Sequence, residues 1–252
     1  MNDFKDKINL DKIDVLILCG GFGTRLRPVI SDKPKVLAKI GNITFLDILI
    51  ENLSLYRFKN FILCIGYLKD HIKEHYKNNN HDCNIIFSEE DKPLGTGGTI
   101  KNAEHLIKNN NFLVTNGDSI CKIDYDSLKI FHVQKNSLIS IVLSKNILKD
   151  DLQYGFIEID DQQRIISFNE KSFKKEKLIN AGIYMMNKKI FNHMPNRDYF
   201  SLENDLFPEI IKSNNCFGFV TNSKVIDIGT PKRYEEALKF IEISELYLSD
   251  NR

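Results

Sequence analysis

An apolar run, Val15-Leu16-Ile17-Leu18-Cys19, stops abruptly at Gly20-Gly21-Phe22-Gly23, and cations follow at Arg25, Arg27 and Lys35. A run this short, bounded by glycine, suits a strand buried on both faces better than a helix. It confines the chain to folds in which a buried strand empties into a loop at its carboxyl end. Glycine lets backbone N–H groups approach an anion closely, and Arg25 and Lys35 supply charge. The stretch therefore reads as a phosphate-binding loop, and the remaining sequence bears on which kind it is.

The same alternation continues downstream. Short apolar runs at 61–65, 84–87 and 111–115 are separated by stretches of helical spacing at 44–56, 68–76 and 98–107. This pattern predicts an α/β fold, a Rossmann-like and mostly parallel sheet with helices on both faces. Ligands of such sheets bind beyond the carboxyl ends of the strands. The glycine loop, Ser88-Glu89-Glu90 and Gly117-Asp118 all fall at such ends. In the second half, strands at 139–143, 155–159, 164–168 and 179–186 follow one another with less helix between them, which predicts a mixed-sheet extension over the site. Helices are expected at 201–211 and 231–243, the second opening at Thr230-Pro231 with proline at its first position. No Pro/Gly/Ser-rich linker and no repeat divides the chain, so one domain is expected over 14–252 behind an N-terminal extension at 1–13.

Composition narrows the partners. The 252 residues carry 35 Lys and Arg against 34 Asp and Glu, so there is no broad basic field for a nucleic acid. The five cysteines are odd in number and have no C-x-x-C spacing, as expected of reduced thiols in a cytoplasmic protein. The first 14 residues are polar and contain no signal-peptide core, and no segment approaches the ~18 apolar residues of a membrane span. No membrane and no nucleic-acid partner is expected.

Three kinds of glycine loop compete. A dinucleotide loop needs a third glycine where Leu26 stands, and an acidic residue where the strand at 61–65 ends in Gly66-Tyr67. A P-loop needs G-x-x-x-x-G-K-[ST], which is absent. A plain tight turn with exposed cations stays open on the loop alone.

The string Gly20-Gly21-Phe22-Gly23-Thr24-Arg25-Leu26 resembles the signature loop of the sugar-1-phosphate nucleotidyltransferases, and Lys35 in Asp32-Lys33-Pro34-Lys35 matches that family's phosphate-binding lysine. The resemblance continues in order through Pro93-Leu94-Gly95-Thr96-Gly97-Gly98, Asn116-Gly117-Asp118, Phe168-Asn169-Glu170-Lys171, Asn180-Ala181-Gly182-Ile183-Tyr184 and Asp227-Ile228-Gly229-Thr230-Pro231. It implies a nucleotide-binding part at about 14–120, a sugar-binding part at about 121–230 and a C-terminal helix at about 231–248.

The implied reaction joins two polyanions: a sugar 1-phosphate attacks the α-phosphorus of a nucleoside triphosphate and pyrophosphate leaves. Positioning and charge neutralisation dominate such chemistry. The resemblance implies catalytic roles for Arg25, Lys35 and Asp118, with Arg25 on the β- and γ-phosphates and Lys35 at the α-phosphate. It assigns nucleotide binding to Cys19, Gly20, Gly21, Gly23, Thr24, Glu89 (or Glu90), Gly95, Thr96, Gly97 and Gly98. Sugar binding falls to Asn116, Gly155, Glu170, Lys171, Asn180 and Gly182. Asp118 and Asp227 would hold Mg²⁺, a hard cation that takes one or two carboxylates and completes its shell with phosphate and water. His132 and His193 have no partner at ligand spacing and read as structural. The attacking phosphate is already ionised, so no general base is needed.

Within the family the resemblance is nearest to the bacterial guanylyltransferases of D-glycero-α-D-manno-heptose 1-phosphate, through Phe61-Ile62-Leu63-Cys64-Ile65-Gly66-Tyr67-Leu68, Asn116-Gly117-Asp118-Ser119 and Ser201-Leu202-Glu203-Asn204-Asp205. A carboxylate can accept from guanine N1–H and the 2-amino group, so an acidic residue at 89 or 90 is compatible with GTP. Mannose-1-phosphate guanylyltransferases and glucose-1-phosphate thymidylyl- or cytidylyltransferases remain alternatives. More distant are a non-catalytic nucleotide-sugar sensor and a dinucleotide-dependent oxidoreductase. Two features depart from the family pattern: residues 1–13 precede the usual start, and Val225-Ile226 replaces a bulkier aromatic lead-in. An apolar face on the last helix (Ala237, Phe240, Ile241, Leu246) could serve a homodimer.

Overall fold

Residues 9–77, 82–146, 156–169, 178–213 and 215–249 are described by a computed structural model. The first apolar run forms β1 (Asp14–Leu18). Val15 and Ile17 point into one hydrophobic core and Leu16 into another, so the strand is buried on both faces. A two-stranded hairpin, β2 (Lys39–Ile40) and β3 (Ile43–Thr44), leads into α1 (Phe45–Leu55). That helix starts at a reciprocal cap: the Asp47 N–H donates to Thr44 Oγ1, and the Thr44 N–H donates to the Asp47 carboxylate, each at 3.2 Å.

Four units follow: β4 (Asn60–Ile65), α2 (Lys69–His75), β5 (Asn84–Glu89) and α3 (Gly95–Asn102). β6 (Asn111–Asn116) closes this half. The strands β5, β4, β1 and β6 lie side by side and parallel, which brings their carboxyl ends to one edge. The second half contributes β7 (Ser119–Cys121), α4 (Tyr125–Gln134), β8 (Ile139–Asn146), β9 (Phe156–Ile159) and β10 (Ile165–Asn169). It ends with β11 (Leu178–Asn187), α5 (Phe207–Lys212), β12 (Cys216–Asp227) and α6 (Pro231–Ser249). β11 pairs antiparallel with both β6 and β8, and β12 runs parallel to β8 and antiparallel to β7, which makes one continuous mixed sheet.

Helices cover both faces. Phe45, Leu49 and Leu53 of α1, Ile72 of α2, Leu128 of α4 and Ala237 of α6 pack into one core. Ile100 of α3 and Phe207 and Ile210 of α5 pack into the other. The α/β architecture is thus the expected one, and several elements differ in detail. Helix α3 begins at Gly95 and not at residue 98, and it gives way at Ala103 to a 3₁₀ turn, Glu104–Leu106. The stretch expected as one helix at 201–211 is a π turn, Leu202–Leu206, running into α5. Helix α4 and the long strand β12 were not anticipated. The end of the expected N-terminal extension belongs to the domain: Leu10 and Ile13 are buried in the core, and Asn60 Nδ2 donates to the Asp11 carbonyl at 3.0 Å. Among the described residues, no helix is long and apolar enough to cross a membrane.

Candidate active site

The carboxyl ends of β1, β5 and β6 open on a cavity of about 340 Å³. Its walls include Gly20, Gly21, Lys35, Glu90, Asn116 and Asp118, contributed by four separate segments. Side chains read from distant parts of the sequence therefore meet where a parallel sheet places ligands.

The glycine loop is fastened at both ends. The Cys19 N–H donates to the Cys64 carbonyl at 2.9 Å, extending the β1–β4 pairing to the edge of the loop. Leu26, standing where a dinucleotide loop has glycine, is buried, and its N–H donates to the Gly23 carbonyl at 3.0 Å. The loop is thus pinned by an apolar plug and does not run directly into a helix. Gly20 and Gly21 line the cavity, whereas Gly23, Thr24 and Arg25 lie outside its lining. Cys19 is buried behind the loop, with its thiol pKa raised chiefly by burial and further by Asp118, so it offers no thiolate.

Lys35 stands at the start of a 3₁₀ turn, Lys35–Leu37, directly after Pro34. Its ammonium donates to Asp118 Oδ2, and a side-chain carbon added at Gly21 would lie 3.9 Å from Nζ. Both side chains are partly exposed to the cavity. Asp118 follows β6, and the register of β7 against β12 sets its neighbour Ser119 opposite Asp227. The Ile228 N–H donates to the Asp118 carbonyl at 3.0 Å, so the two expected metal-binding segments are adjacent. Asp227 does not line the cavity. Its Oδ1 accepts from the Gly229 N–H at 2.9 Å and from Arg233 Nη1 at 3.3 Å. Arg25 approaches this same corner, its Nη2 lying 3.7 Å from the position a Gly229 Cβ would take.

The two adjacent glutamates separate sharply, and the expected assignment to Glu89 is corrected. Glu89 is exposed and faces away from the cavity, paired with Lys73 at 2.7 Å and Lys69 at 3.3 Å. Glu90 is buried and lines the cavity beside Gly20 and Gly66. Its N–H continues the ladder to the Ile65 carbonyl at 2.8 Å, so the pleat turns residues 89 and 90 to opposite sides. Thr99 Oγ1 donates to the Glu90 carboxylate. Burial raises the Glu90 pKa, and hydrogen bonds from Thr99 and the Leu94 N–H only partly offset it.

The second glycine segment is the first turn of α3. Gly95 and Thr96 line the cavity, but the Gly97 and Gly98 amides are committed elsewhere, donating to the Phe200 carbonyl at 3.0 and 3.2 Å. A Cβ at Gly95 would lie 2.6 Å from that same carbonyl, and one at Gly98 would drive into the Asp198 carbonyl. These glycines grip the 198–200 segment. Of the expected sugar-binding residues, Asn116 lines the cavity. Asn180 and Gly182 form an irregularity in β11 beside it: the Gly182 N–H donates to Asn180 Oδ1 at 2.9 Å, and Asn180 Nδ2 donates to the Tyr184 hydroxyl at 2.8 Å. Gly182 has φ +73°, and a Cβ there would lie 2.5 Å from the Asn116 amide nitrogen, so only glycine fits. Gly155, Glu170 and Lys171 lie outside the described residues.

Two residues at the site carried no usable motif: Thr99 donates to Glu90, and Arg233 donates to Asp227. Of the two, only Arg233 left a trace, as a cation in the first turn after Thr230-Pro231. Ser119, which closes the Asn116-Gly117-Asp118-Ser119 segment, has a buried hydroxyl oxygen without a hydrogen-bond partner among the described residues, next to Gly182. The residues that fit a metal are oxygen donors from two adjoining segments, and no described group of three or more His, Cys, Asp or Glu gathers there. Such a sparse, hard set suits a cation that keeps phosphate and water ligands, and it does not suit a soft one.

A family model described as nucleotidyl transferase matches residues 14–244. The chain is 38% identical over 222 residues to the D-glycero-alpha-D-manno-heptose 1-phosphate guanylyltransferase of Campylobacter jejuni, covering 88% of this chain and 97% of that protein. It is 32% identical over 240 residues to the mannose-1-phosphate guanyltransferase of Yarrowia lipolytica, covering 93% of this chain and 64% of that protein. Among solved structures, HddC from Yersinia pseudotuberculosis complexed with GMP-PN superposes with a TM-score of 0.79 at 35% identity, covering 91% of this chain and 99% of that one.

Proposed function

Because the chain belongs to the nucleotidyl transferase family, we propose that it transfers a guanylyl group from GTP to D-glycero-α-D-manno-heptose 1-phosphate, releasing pyrophosphate and forming an activated heptose. The observation that carries this reading is the cavity in which the glycine loop, the Lys35–Asp118 pair and the buried carboxyl of Glu90 meet. One end offers charge for phosphates, and the other offers an acceptor for the N1–H and 2-amino donors of guanine. The choice of heptose over mannose is supported by sequence identity: the chain is 38% identical to the heptose relative and 32% identical to the mannose one.

The α-phosphorus is approached by an ionised sugar phosphate, so the protein's task is to align two anions and offset their repulsion. Lys35, beneath Gly21, is positioned to meet charge developing on the α-phosphate. A preorganised donor of that kind contributes about 3 kcal/mol to the transition state. Arg25 would hold the leaving pyrophosphate, for which a planar guanidinium suits bidentate contact. Mg²⁺ would be held by Asp118 and Asp227, and it would neutralise phosphate charge when bound. On this reading the Lys35–Asp118 contact would open in the loaded site, Lys35 turning to a phosphate and Asp118 to the cation. Lys171 and Glu170 are assigned to the sugar phosphate and sugar hydroxyls by resemblance alone. A cytoplasmic location accords with the free thiols among the described cysteines.

A pyrophosphate-release assay tests the reading by crossing the four ribonucleoside triphosphates and dTTP with heptose, mannose and glucose 1-phosphates. GTP with the heptose 1-phosphate is expected to give the highest kcat/KM. Preference for dTTP with glucose 1-phosphate would overturn the substrate assignment.

A further inference from the structure

Tyr199 is 65% exposed, yet it sits on one of the most firmly held backbone segments at the site. The next residue, Phe200, is fully buried, and its N–H donates to the Leu94 carbonyl at 3.0 Å. The Phe200 carbonyl takes the Gly97 and Gly98 amides. On the other side, Lys92 Nζ pairs with Asp198 at 2.7 Å, and Lys101 Nζ donates to the Pro195 carbonyl at 2.8 Å. The packing against Gly95, Gly97 and Gly98 leaves no room for even one added carbon without collision with residues 198–200. A segment locked this tightly to α3 presents Tyr199 to the cavity it lines.

A second exposed aromatic borders the same cavity. Phe22 of the glycine loop is 49% exposed and packs on Tyr67 with ring centroids 5.3 Å apart, and the Arg27 guanidinium lies 5.6 Å from the Tyr67 centroid. Two aromatic side chains, carried by unrelated elements and left largely in solvent, thus border one ligand-sized space. The hydrogen bonding shows which end of the ligand Tyr199 serves. The Leu94 N–H donates to the Glu90 carboxyl, and the Leu94 carbonyl accepts from Phe200, so Tyr199 is tied to the wall that holds Glu90. Lys35 belongs to a different segment, behind the glycine loop. Aromatic faces stack on nucleobases with little regard to which base is present.

We propose that Tyr199 is a nucleotide-binding residue whose ring covers the base of the bound nucleoside triphosphate, on the Glu90 side of the cavity and apart from the phosphates. The inference rests on the proposed nucleoside triphosphate substrate, but not on its being GTP, because stacking needs only a planar base. It gives the glycine grip of α3 a functional purpose, the fixed placement of an exposed ring.

The chain contains no tryptophan, so Tyr199→Trp installs a single indole reporter. Titration of that variant with the nucleoside diphosphate of whichever base supports pyrophosphate release should quench the indole emission saturably, and mannose 1-phosphate should leave it unchanged. Steady-state kinetics on Tyr199→Ala should show KM for the nucleoside triphosphate raised roughly 5- to 100-fold, with kcat and the KM for sugar phosphate within twofold of the parent. Tyr199→Phe, which keeps the ring, should restore the parental KM. The kinetics use whichever triphosphate supports pyrophosphate release, so a preference for another base overturns the GTP assignment while leaving this test intact. A parental nucleotide KM in Tyr199→Ala, or a response of the indole to mannose 1-phosphate alone, would overturn the role proposed for Tyr199.

Discussion

The buried carboxyl of Glu90 has its pKa raised by burial, so it takes up a proton at a higher pH than an ordinary glutamate. If it accepts from guanine as a carboxylate, KM for GTP should climb on acidification, beginning above the usual glutamate range. Glu90→Gln should raise KM for GTP roughly 10- to 100-fold, as expected for loss of hydrogen bonds to a charged group, and should flatten that pH profile. Glu89→Ala should leave KM for GTP within twofold, because Glu89 faces Lys69 and Lys73 and not the cavity. Equal effects of the two substitutions would overturn the assignment. This pair also marks the limit of what was legible at the level of single residues. Motif order, read through the family resemblance, grouped Lys35, Asp118 and Asn116, and all three line one cavity. Two consecutive glutamates, by contrast, must point to opposite sides of a pleat, and nothing local says which one points inward. Thr99 and Tyr199 were illegible for a related reason: their roles depend on contacts with Glu90 and with α3 that are set by packing.

At the scale of elements, the strand–helix alternation of the first half was legible because each strand is an unbroken apolar run. Strand β12 was missed because Asn222, Ser223 and Lys224 interrupt its apolar pattern; it is held by pairing with β8 and β7 and not by its own periodicity. Helix α3 starts at glycines that ordinarily disfavour helix, and the Phe200 carbonyl compensates by capping the exposed amides of its first turn. Gly98→Ala should therefore act on the whole element. Its Cβ would force the Asp198 carbonyl away, lowering the melting temperature and raising KM for the nucleotide together. A melting temperature and KM both at parental values would show that the grip is unnecessary. The packing of α4 on β8 yields a separate expectation. His132 of α4 is buried, its Nδ1 lies 2.9 Å from Ser140 Oγ, and burial pushes its pKa down to about 4. The unfolded chain takes a proton near pH 6.5, whereas the folded protein resists it down to about 4. This contribution to stability is thus complete above pH 6.5 and is lost as the pH falls through that window, by about 2 kcal/mol between pH 7 and 5. Urea denaturation at both pH values should show the loss, and His132→Asn, which can keep the Ser140 contact, should reduce it. An unchanged pH slope in the variant would assign the loss to other groups.

At the scale of the whole molecule, the sheet joins two halves that could not form this site separately. The parallel half ends at Asn116 and Asp118, and the antiparallel half returns through β12 to set Asp227 opposite Ser119. A ligand that needs Asp118 and Asp227 at once binds the folded chain and not the unfolded one, so its affinity adds directly to stability. At a concentration 100 times its dissociation constant, such a ligand stabilises the native state by about 2.7 kcal/mol. For a domain of this size that corresponds to a rise in melting temperature of roughly 5–10 °C. GTP with Mg²⁺ is expected to produce a shift of this order, and GTP with a chelator a clearly smaller one. Because Lys35 already satisfies Asp118, and Arg233 already pairs with Asp227, Mg²⁺ alone should shift the melting temperature little. Asp118→Asn and Asp227→Asn should each erase the difference between the Mg²⁺ and chelator conditions, whatever they do to the baseline. The second variant also unpairs Arg233, so the comparison is made within each variant and not between variants. An undiminished Mg²⁺-dependent shift in both variants would overturn the role proposed for these carboxylates in holding the cation.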